Sequence, residues 1–189
     1  MIASPSPALR SLRTPAYVIL ALAALIPVTD FVTTVWPLIP GKLAWRFGAV
    51  GLASSSFGVP LLMLLFIFAV ALAMGDRKVT MTVGVVAAGI GLAMLASSGM
   101  FVLDALQMRS NVASAALARF QTASLQALAK LIAHGISGLI LAVAAFRAVR
   151  SAKAAVVRGQ SRTSQLIVPV ASSLRNSPPT PRPSSETVV

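Results

Sequence analysis

The sequence contains no cysteine, one histidine and four acidic residues among its 189 residues. Without cysteine there is no disulfide, no thiolate metal site and no cysteine nucleophile. A single histidine, His134, excludes a bis-histidine haem and a multi-histidine metal site within the chain. We therefore expect no catalytic, cofactor-binding or metal site.

Charge is scarce throughout the sequence. Charged residues make up 11% of the chain, and 57% of its residues are hydrophobic. An ordinary soluble domain has about 25% charged residues, so this composition is typical of a chain surrounded by lipid. The formal net charge of +12 does not indicate nucleic-acid binding, because the basic residues flank long apolar runs, as they do at the ends of membrane spans.

Three long stretches of the chain are almost free of charge. The interval between Arg13 and Lys42 holds only Asp30, and the intervals 47–75 and 79–103 hold no charged residue. Each stretch exceeds the roughly 20 residues that a helix needs to cross the hydrocarbon layer of a bilayer. The pattern predicts one membrane span in each.

A fourth span is less clearly marked. Residues 131–146 carry no Lys, Arg, Asp or Glu, and residues 125–129 extend this stretch outward around Lys130. No alternation of polar and apolar residues favours a barrel, so helices are predicted. The fold class is therefore an all-α integral membrane protein, a bundle of four transmembrane helices. The predicted spans are residues 17–36, 51–74, 80–102 and 125–145.

The chain is predicted to have three parts. Residues 1–14 form a cytoplasmic N-terminal segment, 15–156 the transmembrane domain, and 157–189 a basic tail rich in Pro and Ser. Such a tail buries too little apolar surface to offset its ordering entropy, so we expect it to be disordered. Its basic residues should be attracted to anionic lipid headgroups.

Lysine and arginine are unequally divided between the two sides of the predicted bundle. With the N-terminus in the cytoplasm, nine basic residues near the spans lie on the cytoplasmic side: Arg10, Arg13, Arg77, Lys78, Arg147, Arg150, Lys153, Arg158 and Arg162. Four lie on the opposite side: Lys42, Arg46, Arg109 and Arg119. Cytoplasmic loops carry the excess of positive charge, so we expect both termini in the cytoplasm. The absence of cysteine and the abundant alanine fit a bacterial inner membrane.

Several sequence features predict how the helices pack. Pro60 follows three serines and predicts a bend in the second span. Small residues four apart permit close helix contact, so a row in the third span is predicted to be a packing surface or, alternatively, a homodimer seam. That row consists of Gly89, Ala93 and Ser97. A stripe in the fourth span is predicted to face into the bundle; it consists of Gln126, Lys130, His134, Gly138 and Ala142.

Asp30 is the membrane residue that the sequence singles out most clearly. An ionised carboxylate within a span costs about 2.5–3.5 kcal/mol even on insertion scales, so it needs a partner or a proton. At about 1.5 Å per residue, Asp30 and His134 lie at similar depths, with Lys130 one turn nearer the outside. We therefore predict that Asp30 pairs with Lys130, His134 or both. This cluster would be either a proton or ion relay or a structural clasp between helices.

Three functions follow from these features. The leading interpretation is a non-enzymatic structural or accessory subunit, whose partners are the lipid bilayer and another membrane protein or a second copy. The alternative is a small ion- or proton-coupled transporter that uses Asp30 and His134. Its four-span layout, with an acidic residue in the first helix, is similar to the small multidrug-resistance transporters, although this chain is much longer. A lipid-acting enzyme with these two residues as base and acid lacks an identifiable nucleophile.

Topology reporters test the predicted orientation. Fusions at positions 77 and 170 should report a cytoplasmic location, and fusions at 42 and 112 should report the opposite side, because the positive charge is concentrated on the first side. Paired alkaline phosphatase and fluorescent protein fusions measure this. The opposite pattern at any two of the four positions would contradict the topology.

Overall fold

The computed structural model describes residues 11–175, with side chains described for residues 11–152 and 154. All regular secondary structure in this part of the chain is helical. The α-helices are α1 (Arg13–Val35), α2 (Leu43–Ser56), α3 (Gly58–Met74), α4 (Arg77–Arg109) and α5 (Leu117–Arg175), and a short 3-10 helix covers Ser114–Ala116.

Four segments are long and apolar enough to cross a membrane: Arg13–Val35, Leu43–Met74, Arg77–Arg109 and Ser114–Ala152. The prediction of an all-helical fold with four such segments is confirmed at this level. Each segment begins earlier than predicted, and the last two also end later. Alanine and arginine have high helix propensity, so the ends remain helical beyond the apolar stretches.

The last helix continues past the predicted end of the bundle. The backbone is helical as far as Arg175, where the sequence predicted a disordered tail from residue 157. Residues 150–189 belong to a unit separate from residues 1–149, and the last part of the predicted tail, 176–189, lies outside the described residues.

The second membrane segment is interrupted at Phe57, between α2 and α3. Pro60 has no N–H, so the carbonyl of Ser56 loses its usual helical donor. The hydroxyl of Ser54 donates to the carbonyl of Gly51 at 2.6 Å, and the two following serines also bond to backbone carbonyls. Such bonds bend helices. The predicted bend is present, three residues before the proline.

A tight turn joins α3 to α4. Gly75 has φ of 69°, in the left-handed region that favours glycine, and ends α3. The N–H of Asp76 donates to the carbonyl of Ala71 at 2.8 Å, which satisfies one of the free carbonyls at the end of the helix. The turn therefore places Asp76 immediately before α4.

An aromatic stack joins three helices near the other end of the bundle. Phe47 on α2 stacks on Phe101 of α4 at 4.9 Å between ring centroids and on Phe120 of α5 at 5.4 Å. Phe101 and Leu131 are the largest fully buried side chains in the described part of the chain. These residues form the core at this end of the bundle.

Backbone contact between α4 and α5 is the closest helix packing that the glycines reveal. A Cβ atom on Gly91 would lie 2.9 Å from the carbonyl oxygen of Gly135, and one on Gly138 would lie 2.9 Å from that of Ala87. Only hydrogen fits at these positions. In contrast, the predicted row in α4 points outward at Gly89, which is exposed and has no atom within 4 Å of an added Cβ.

Two alanine substitutions test this crossing. Gly91→Ala should destabilise the bundle by about 1–3 kcal/mol, because the added methyl overpacks a backbone contact. Gly89→Ala, two residues away on the exposed side of α4, is the matched control and should leave stability unchanged or slightly raised. Reversible unfolding of the purified protein in mixed detergent micelles measures both. Equal effects of the two substitutions would contradict the crossing.

Candidate functional site

A buried ion pair connects α2 to α4. Asp104 is almost fully buried, with 3% of its surface exposed. Arg46 donates from Nη2 to Oδ1 of Asp104 at 2.7 Å and from Nε to Oδ2 at 3.2 Å. This two-bond geometry matches the planar guanidinium to the carboxylate and fixes their relative orientation. We call this part of the bundle the Asp104 end.

A second ion pair lies at the opposite end. Arg13, at the start of α1, donates to the carboxylate of Asp76, which precedes α4. The arginine side chain is 48% exposed, so this pair is worth less than the buried one. We call this part of the bundle the Asp76 end. Asp76 lies at the start of α4 and Asp104 near its end, so the two pairs join α4 to Arg13 of α1 and Arg46 of α2.

Asp30 differs from the other two described acidic residues. Its side chain is exposed on α1 and has no hydrogen bond or ion pair to any residue in the described part of the chain. The hydroxyls of Thr33 and Thr34 donate to the backbone carbonyl of Asp30, at 3.0 and 2.7 Å, and not to its carboxylate. The carboxylate therefore faces outward from the bundle.

Two contacts fix the depth of Asp30 relative to His134. Phe31, the next residue, packs edge-on against Phe57 with ring centroids 5.6 Å apart. Gly58 lies against His134, since a Cβ built on the glycine would be 3.2 Å from Nε2 of the imidazole. Asp30 and His134 are therefore level with the same point of the second segment. At this level Phe57 contacts α1 and Gly58 contacts α5.

His134 is half-buried and lines a groove of about 390 Å³ between α3 and α5, together with Leu61, Leu65 and Phe68. Its Nδ1 atom is buried and has no hydrogen-bond partner among the described residues. The groove is lined mainly by apolar side chains, and its other polar side chain, Ser137, makes no hydrogen bond to this nitrogen.

Lys130 is exposed and lines a different groove, of about 300 Å³, between α2 and α5. We call it the Lys130 groove; its other lining residues are Phe47, Gly51, Ser54, Ser55, Phe101, Phe120, Ala123, Ser124, Gln126 and Ala127. The Oγ atom of Ser124 is buried without a hydrogen-bond partner in the part of the chain described. The groove thus combines an ammonium group, an unused hydroxyl and small residues.

The structure does not bring the three predicted site residues into one cluster. Asp30 makes no ion pair with Lys130 or His134, which line separate grooves next to α5. The predicted stripe on α5 is buried only at Gly138 and Ala142. The two roles predicted for these residues, a relay and a clasp, both stay predictions.

Sequence reasoning missed the Arg46–Asp104 pair. Both residues were interpreted as markers of span ends, on the same predicted side of the membrane. Their shared side and the small number of carboxylates were the available signals for a pair. The sequence contains nothing that identifies which two helices are neighbours, so the pairing needed the structure.

Comparison with family models, curated proteins and solved structures finds no match to this chain. Within residues 11–175, no group of three or more His, Asp or Glu side chains is placed to hold a metal ion. The candidate functional site therefore consists of two ion pairs between helices of the bundle and one exposed carboxylate, that of Asp30.

Removing the buried carboxylate tests the Arg46–Asp104 pair. Asp104→Asn should cost somewhat less than the about 3–5 kcal/mol of a fully buried pair, because the arginine side chain is 32% exposed. Arg13→Gln, at the more exposed pair, is the comparison and should cost less than about 1 kcal/mol. Unfolding in mixed micelles measures both. Equal losses of stability would show that the Asp104 pair is no stronger than a surface pair.

Proposed function

We propose that this chain is a non-enzymatic, four-span integral membrane protein that serves as a structural or accessory subunit and associates laterally with other membrane helices. One observation carries the proposal: α1 presents an unpaired carboxylate, Asp30, to the outside of the bundle.

α1 is also the helix that the rest of the chain covers least. In the most apolar stretch of 18 residues in each segment, 6% of the residues are buried in α1, against 28–33% in the other three segments. An apolar helix side needs no protein cover in lipid, but an ionised carboxylate does need a donor or cation. A second membrane segment that supplies one would remove this cost, so the position of Asp30 favours association in the membrane plane.

The two ion pairs also support the proposed topology. Alternating spans place the start of α1 and the α3–α4 turn on one side, and the start of α2 and the end of α4 on the other. Arg13 pairs with Asp76, and Arg46 pairs with Asp104, as that alternation requires. Together with the positive-inside distribution, we propose cytoplasmic termini and a bacterial inner membrane. The basic C-terminal region would then face anionic headgroups.

The second candidate function is an ion- or proton-coupled transporter. Its support is the unpartnered Nδ1 of His134, at the same depth as Asp30. A relay needs the two groups within hydrogen-bond reach or joined by water. Asp30 faces outward, and the second segment contacts both α1 and α5 at this depth, so the geometry favours the subunit over the carrier.

Proteoliposomes distinguish the two functions. An imposed pH gradient should dissipate at the same rate with the purified protein as in protein-free vesicles, because Asp30 has no proton partner inside the bundle. A pH-sensitive dye enclosed in the vesicles measures the rate. Faster dissipation that Asp30→Asn abolishes would support the transporter and contradict the subunit.

Particle mass tests the association itself. When the protein is extracted directly from membranes into polymer-bounded lipid discs, the protein mass per disc, with lipid and polymer subtracted, should exceed that of one 19.5 kDa chain. Asp30→Asn should lower this mass without lowering the unfolding temperature in detergent, because the carboxylate stabilises contacts between chains and not the bundle. Thr82→Val, which removes an exposed hydroxyl from α4, is the control. Discs that hold one chain in every case would contradict the proposal.

A further inference from the structure

We propose that the partner of Asp30 is Lys130 of a second copy of this chain, and that α1 of one copy docks on the Lys130 groove of the other. This inference rests on the proposed lateral association and names its partner. The observations behind it are complementary charge, matching depth and the shape of the groove.

The docking element is one side of α1. We call it the Asp30 face; it consists of Ile19, Leu22, Ile26, Asp30 and Thr33, which follow one another at intervals of three or four residues and are all exposed. That spacing keeps them on one side of a helix. Its three large apolar side chains are 56–65% exposed, and the carboxylate and Thr33 follow them, so the polar groups of the face are confined to one end.

The receiving element is the Lys130 groove. Lys130 has no ion pair or hydrogen bond to another described residue, and the buried Oγ of Ser124 is also unused. An approaching carboxylate would find an ammonium group and a hydroxyl donor there. A Cβ built on Gly51 would meet no atom within 4 Å, so this part of the groove leaves room for another helix backbone to come close.

The two charges lie at compatible depths. Asp30 is level with Phe57 through the contact of its neighbour Phe31. Lys130 lies one helical turn from His134, which contacts Gly58, so its Cα is displaced towards the Asp104 end by about 6 Å. A lysine side chain is long enough to cover one turn. Each of these residues has the same depth in both copies when the copies share a membrane. Neither copy therefore has to move along the membrane normal for the pair to form.

Within one chain the pair does not form. At this depth α1 contacts Phe57 and α5 contacts Gly58, and both charged side chains are exposed without an ion pair. Each copy therefore carries one unpaired anion and one unpaired cation in the membrane. Contact between two copies pairs the anion of one copy with the cation of the other.

Cysteine cross-linking tests this contact, and the chain has no native cysteine to interfere. Thr33→Cys lies one turn from Asp30 on the same face, and Gln126→Cys lies one turn from Lys130 in the groove, so both charges are retained. The two variants carry different tags and are co-expressed, and membranes are treated with a short bis-maleimide. We expect a covalent dimer that contains both tags.

Two controls give the result its meaning. Val32→Cys replaces Thr33→Cys on the opposite side of α1 and should cross-link about tenfold less. Asp30→Lys, added to the Thr33→Cys chain, should lower the yield by about tenfold, as expected for loss of an interhelical polar contact of about 1–2 kcal/mol in a membrane. Lys130→Asp in the Gln126→Cys chain should restore the yield with Asp30→Lys. Unfolding temperatures in detergent confirm that each variant is folded.

Three outcomes would overturn the inference. The first two are absence of a mixed-tag dimer and insensitivity of the yield to Asp30→Lys. The third uses a chain that carries both Thr33→Cys and Gln126→Cys: a cross-link that forms only within this chain would identify an intramolecular clasp. If Thr33→Cys cross-links to a different membrane protein and this depends on Asp30, the accessory-subunit function stands and self-association fails. If discs hold one chain and no cross-link forms to any protein, both fail.

Discussion

The bundle depends on the contact between α4 and α5, where the two backbones meet without intervening side chains. Gly91 faces Gly135, and Gly138 faces Ala87, each at a distance that leaves no space for a Cβ atom. In the proposed lipid setting the hydrophobic effect would not drive helices together, and close van der Waals contact would take its place. This crossing sets how near the ends of the two helices lie. It thereby positions α5 to line the grooves with α2 and α3.

The carboxylates show how the chain treats charge once this packing is set. Asp76 and Asp104 lie at opposite ends of the bundle, and each is paired with an arginine. A charge at the end of a membrane span costs less free energy than a charge within it, yet Asp76 and Asp104 are the carboxylates that have partners. Asp30 lies farther from the ends and has no intramolecular partner among the described residues. A chain that satisfies its two less costly carboxylates and leaves the third facing outward has the surface expected of a subunit that binds other membrane helices.

The sequence predicted the helical fold and its four long apolar segments because lipid makes span length and hydropathy decisive. It also predicted the bend near Pro60, which follows from a missing N–H, and the similar depth of Asp30 and His134, which follows from helical rise. It did not identify which small residues pack. Gly89 and Gly91 look alike in the sequence, yet only Gly91 faces α5, because helix rotation depends on neighbours that are distant in the chain. The same lack of neighbour information hid the Arg46–Asp104 pair.

The sparse covering of α1 has a consequence for how the protein tolerates its surroundings. Val35 is the one buried residue of α1, although the helix packs along α3, so loosening α1 would break fewer fully buried contacts than loosening a later segment. Local opening is easiest where few buried contacts must be broken. In the proposed bilayer setting, α1 would then be the helix that adjusts its tilt to a different thickness, while the glycine crossing holds α4 and α5 together.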